Sequence, residues 1–212
     1  METKVIACNM IKDELLAAMG RAGAEHEILW IDEALHARPE KLRAAIQEVL
    51  DGIRGCGRVL LAFGHCGGMA EGLSAGDFEL VMPDVDDCIS LMLYPHSEGK
   101  EPGVYYLTGG WLRSGTNCWC DYGRMAARYG ETKAKRIVDR MMDSYHAMAF
   151  LENGVESGPE CRDRGRELAE WLNLEYCERA GSVDWLERLV TGPWDGRFLR
   201  AGPYGTLHMP YG

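Results

Sequence analysis

The sequence predicts an α/β protein built on a mainly parallel, Rossmann-like sheet flanked by helices. Short apolar runs alternate with longer stretches of helical periodicity in the order βαβαβ, and the connections between them are short. A chain of 212 residues suffices for one substantial domain, or for two α/β halves around a cleft.

"KVIAC", Lys4 to Cys8, reads as a short buried strand. "NMIKDELLAAMGRAG" places Ile11, Leu15, Leu16 and Met19 at helical spacing, with Gly20 or Gly23 as its stop. "HEILWID" is a second strand. In "RPEKLRAAIQEVLDGIRG" Pro39 suits a first turn, and Leu42, Ile46, Val49, Leu50 and Ile53 form one stripe. "RVLLAFG" is a third strand, and "HCGGMAEGL" leads from it toward a helix. "FELVMP" is a fourth strand, followed by the helical "DVDDCISLMLY". The second half continues in kind: "GVYYLTGGW" as a strand ending in glycines, "YGRMAARYGETKAKRIVDRMMDSY" as a helix with Gly130 a break, and "AMAFLENG" as a strand. "PECRDRGRELAEWLN" is then a helix, "LEYCERAG" a strand, "SVDWLERLVTG" a helix opened by Ser182 or Asp184, and "RFLRAG" the last strand. "SEGKEP", Ser97 to Pro102, is the candidate joint between halves 1–96 and 103–212.

The formal net charge is −10. It argues against a nucleic-acid partner and against anionic membrane surfaces, both of which need clustered basic groups. No apolar run approaches the roughly 20 residues that cross a bilayer, and the N-terminus lacks the pattern of a signal peptide. The expectation is a soluble, cytoplasmic protein acting on a small molecule. Composition leaves the oligomeric state open.

Eight cysteines without a signal peptide point to buried thiols, metal ligands or catalytic thiols rather than disulfides. Ligands of parallel α/β sheets bind outside the carboxyl ends of the strands. Cys8 ends the first strand, Cys66 follows the third and Cys88 lies just past the fourth, so all three are expected on one rim. Each also falls where a helix is expected to begin, where the helix dipole favours a thiolate. Adjacent strands lie about 4.8 Å apart, so thiolates from neighbouring ends reach a common ion. Such ligands select zinc, copper(I) or iron–sulfur chemistry. His36, after the second strand, is the candidate fourth ligand. His65 is a candidate base beside Cys66, and Gly67 and Gly68 permit close approach of a bound group. Asp87 reads either as a general base or orienting acceptor, or as a helix N-cap. Trp111 in "TGGW" either walls a pocket or packs in the core. "GHCGG" is neither a P-loop nor a dinucleotide fingerprint. "NCWCDY" reads as a loop with Cys118 and Cys120 exposed or as an extra metal contact. Cys56, Cys161 and Cys177 read as packing residues, and Met141 and Met142 as helix core.

Taken together, "VIACNMIKDELL", "DEALHARPEKLRAAIQEVLD", "LLAFGHCGG", "LVMPDVDDCISLML", "PGVYYLTGGWL", "RYGETKAKRIVDRMMDSY" and "LERLVTGPWDGRFL" resemble successive blocks of a bacterial and archaeal family known as domain of unknown function 1638. The resemblance implies recurrence of Cys8, Cys66, Cys88, Leu35–His36, Asp87 and Gly110–Trp111. It also implies an association with corrinoid-dependent methyl transfer in anaerobes, beside corrinoid proteins and methyltransferases. The chain departs from the family pattern at His65 and around "PDVDDC", which retunes the pocket.

Three functions follow as expectations. One is a zinc-thiolate protein of methyl or one-carbon metabolism, methyltransferase-like, binding a small thiol or similar ligand. Another is a non-catalytic accessory that holds a metal, an iron–sulfur cluster or a corrinoid-related cofactor. The last is a metal-free enzyme with Cys66 as nucleophile and His65 or His36 as base.

Overall fold

In a computed structural model, which describes residues 2–95, 99–155 and 159–210, the chain forms two sheets. The first runs β2(Glu27–Ile31), β1(Thr3–Cys8), β3(Arg58–Ala62), β4(Glu79–Pro83) and β8(Phe198–Ala201), parallel except for β8. The second runs β5(Val104–Leu107), β6(Ala147–Glu152) and β7(Glu175–Ala180), all parallel. The fold is thus mixed α/β with mostly parallel sheets flanked by helices. Two residues of the candidate joint, Ser97 and Glu98, lie outside the described residues.

Burial on both faces explains the apolar composition of the strands. Val5, Ile6 and Ala7 of β1 and Val59 to Ala62 of β3 are all buried. In the second sheet the period of two sorts residues between two cores. Ala147, Ala149 and Leu151 of β6 join the main core shared with the first sheet. Met148 and Phe150 face the smaller core with Leu107 and Val138. The chain then returns to the first sheet: α8(Asp184–Thr191) buries Trp185, Leu186, Leu189 and Val190 in the main core beside α1(Lys12–Ala22), and β8 closes the β4 edge.

Several helices follow the sequence closely. Gly23, at φ 61°, ends α1. Pro39 opens α2(Pro39–Gly52), which buries Leu42, Ile46 and Leu50. Gly130, at φ 82°, divides α5(Cys118–Tyr129) from α6(Glu131–Met142). Ser182 accepts the amide of Asp184 at the start of α8.

Other segments depart from expectation. Residues 66–72 form turns, not a helix, because Cys66, Gly67, Gly68 and Gly72 all have positive φ and cannot propagate α geometry. "TGGW" does not extend a strand. Thr108 accepts the amide of Trp111 and caps the short α4(Gly109–Arg113). "NCWC" is no loop, since Asn117 caps α5 and Cys118 is its first residue, buried. Leu16 and Met141 are 46 % and 55 % exposed, so neither belongs to a core. Cys56 is buried, but in the connection before β3 rather than on an element face. Among the described residues no helix is long and apolar enough to cross a membrane.

Candidate functional site

The strand order brings Cys8, Cys66 and Cys88 to one rim, because β1, β3 and β4 are adjacent and parallel. Cys8 is the last residue of β1, and its Sγ accepts the Met10 amide at 3.3 Å across a 3-10 turn. Cys66 follows β3 in the turn region. Cys88 opens α3(Cys88–Leu93), capped by Asp87. Ionising one thiol would raise the pKa of a neighbour: Cys66 and Cys8 act on Cys88 in this way, and Cys66 on Cys8.

Close backbone packing fixes Cys66. Its amide donates to Asp86 O at 2.8 Å, and the His65 amide donates to Val85 O at 2.7 Å, lashing the 64–66 segment to the 84–87 turn. Gly64 makes this possible, because a Cβ there would lie 2.5 Å from Asp87 Cα. Cys66 itself sits at φ 44°, a left-handed conformation that costs an L-residue roughly 1–2 kcal/mol. Strained non-glycine residues of this kind concentrate at functional sites.

All three thiols are held neutral. Burial pushes Cys8 up to about 12, against a peptide-amide hydrogen bond that pulls it down. Burial likewise pushes Cys66 up to about 12 and Cys88 well above its ordinary value. This corrects the expectation of dipole-stabilised thiolates. Cys66 has no helix after it, and for Cys8 and Cys88 desolvation outweighs any terminal dipole.

His36 Nδ1 lies 3.8 Å from Cys8 Sγ. The ring stacks on Phe63, and burial lowers its pKa, so the imidazole is neutral at pH 7, the form that ligates metals. Asp87 is committed to structure: one oxygen caps α3 through the Ser90 amide at 3.0 Å, and the other pairs with Lys100 at 2.5 Å. His65 faces Asp84 rather than the thiols. Its Nε2 is 2.9 Å from Asp84 Oδ1, at an angle outside hydrogen-bonding geometry. Gly67 turns its bare face to Pro39, and Gly68 presents its carbonyl to Arg43 at 2.7 Å. Both glycines therefore serve the turn itself. Trp111 packs against the main core and meets Tyr105 edge-on. Cys118 lies in the smaller core, against which Tyr105 packs.

Three further residues belong to the surroundings. Lys100 is the nearby cation that eases ionisation of Cys66. Glu14 on α1 is 1 % exposed. Its Oε1 accepts from Asn153 Nδ2 at 3.1 Å, its Oε2 has no partner among the described residues, and burial raises its pKa. Asn153 follows β6 at the carboxyl edge of the second sheet, so it obeys the rule that locates the cysteines. Glu14 was legible in outline, since it falls between Ile11 and Ala18 on the apolar stripe of α1. Nothing in the local sequence marks Lys100.

Among the described residues no group of three or more His, Cys, Asp or Glu side chains is already disposed around a common ion. The rim is a set of neighbouring soft donors rather than a closed cage.

A family model described as a protein of unknown function (DUF1638) matches residues 30–190. The matched span holds His36, Cys66, Asp87, Cys88 and Trp111, and leaves Cys8 outside it. No curated protein and no solved structure matches the chain.

Proposed function

The chain belongs to the DUF1638 family, and from that premise we propose that its thiol rim binds a soft metal ion, zinc by preference, and through it a small thiol or similar ligand in methyl or one-carbon transfer. The observation that carries the reading is the placement of Cys8, Cys66 and Cys88 on one rim, each at or just after the end of one of three adjacent parallel strands. Three buried neutral thiols are unfavourable thiolates when alone, and a dication is the countercharge that makes them favourable ones. A bound zinc ion would keep a ligand thiol ionised yet nucleophilic near neutral pH.

The chain's own groups have separable tasks. Cys8, Cys66 and Cys88 are the donors, and neutral His36 beside Cys8 is the candidate fourth. No such cage is preformed among the described residues, so uptake entails turning these side chains toward a shared point. Asp87 positions rather than catalyses, because it holds the start of α3 and anchors Lys100 beside the rim. Gly67 and Gly68 shape the Cys66 turn.

The test is anaerobic purification with elemental analysis, followed by cobalt(II) titration of metal-free protein. One ion per chain is expected, with a thiolate-to-cobalt absorption band that each of Cys8→Ser, Cys66→Ser and Cys88→Ser weakens or abolishes. Absence of uptake, together with rapid single alkylation at Cys66, would replace this reading with the metal-free nucleophile. The strained backbone of Cys66 is the observation that favours that second reading. Visible absorption in the purified protein would instead favour a cluster- or corrinoid-holding accessory.

A further inference from the structure

A solvent-open pocket of about 150 Å³ lies where the carboxyl edges of the two sheets meet. Its walls are Asn9 and Met10 of the turn after β1, Lys12 and Asp13 of α1, Glu33 after β2, and Arg113 of α4. At about 30 Å³ per water it holds roughly five non-hydrogen atoms, the size of an amino-acid core. The lining charges balance, two positive and two negative. Arg113 and Asp13 pair with each other and frame one side. Lys12 and Glu33 face the same cavity but form no ion pair with each other. Among the described residues exposed Lys12 makes no ion pair and lies 5.7 Å from the Trp30 ring, and half-buried Glu33 makes no ion pair and has the neutral His36 as its neighbour.

We propose that this cavity binds the zwitterion of a small α-amino acid, its carboxylate at Lys12 and its ammonium at Glu33. A ligand of one sign would meet a like charge on one wall, and only a molecule carrying both signs satisfies both walls. The cavity abuts the turn whose Met10 amide donates to Cys8 Sγ, so the occupant lies beside the thiol rim. Its recognition requires no metal, and therefore stands or falls separately from the proposed metal site.

The experiment is isothermal titration of metal-free protein with glycine and L-serine, and with propionate and ethylammonium as singly charged controls. Saturable binding of both zwitterions is expected, with neither control binding at the same concentrations. Lys12→Ala and Glu33→Gln should each weaken it about tenfold. Both sites lie near the surface, and circular dichroism checks that each variant is folded. The proposal is overturned if neither zwitterion binds, if a singly charged control binds equally well, or if both variants keep wild-type affinity.

Discussion

At Cys66 the side chain and the backbone argue against each other. The side chain packs against the main core, while φ of 44° suits glycine better than any L-residue. Cys66→Gly and Cys66→Ala lose the same sulfur contacts, but only the glycine relieves the strain. Urea melts should therefore find Cys66→Gly more stable than Cys66→Ala by about 1 kcal/mol; the reverse order would show that the turn is not strained. Protonation makes a second prediction. Cys8 and Cys66 rise from 9.0 to about 12 on folding because burial opposes their charge. A group whose pKa is raised by folding adds stability that is complete below its unfolded pKa and lost as pH climbs to the folded one. Stability of the metal-free protein should thus decline between about pH 9 and pH 12, and Cys8→Ser should flatten that decline in thermal melts across the range. An unchanged slope would place the alkaline transition elsewhere.

At the scale of elements, the approach of α4 to the turn after β1 makes the junction between the sheets. Gly110 is the contact: a Cβ there would lie 2.0 Å from the Met10 carbonyl oxygen, and backbone cannot yield as a flexible side chain does. Gly110→Ala should destabilise by about 3 kcal/mol or more, beyond ordinary overpacking, and distort the Cys8 turn. Gly115→Ala, with open space around its site, should be near neutral in the same urea denaturation series. The sequence made the strands and long helices legible because buried elements repeat apolar residues at their own period, as in β1, β3 and α2. The strand-end rule then located Cys8, Cys66 and Cys88. It did not reveal α4 or the helical start at Cys118, since Thr108 and Asn117 act through caps that composition alone renders as loop. Nor did it reveal the run of positive φ from Cys66 to Gly68, which depends on lashing to residues 84–87 twenty positions away.

At the scale of the whole molecule, the two sheets share one core and meet through Glu14 and Asn153. Local reasoning leaves Glu14 in the first turn of α1, where a carboxylate is favourable. Only the arrival of β6 removes it from water, to 1 % exposure, with Oε2 left unpartnered. Arg113 offers little relief because Asp13 already holds it. Burial therefore raises the Glu14 pKa, and the sign of its effect follows. Below the unfolded value of about 4.3 the carboxyl is neutral in both states and folding incurs no charge cost. As pH rises through the raised folded value, that advantage of the protonated form is lost, so at neutral pH the buried acid is a burden on the fold. Glu14→Gln keeps the shape and still presents a carbonyl to Asn153, but nothing ionises. The variant should be more stable than the wild type at pH 7, by about 1–3 kcal/mol if the unmet carboxylate is the cost, and the difference should shrink toward zero near pH 4. Paired urea denaturations at the two pH values decide it. A variant less stable than the wild type at pH 7 but not near pH 4 would mean instead that Glu14 stabilises the junction as an anion.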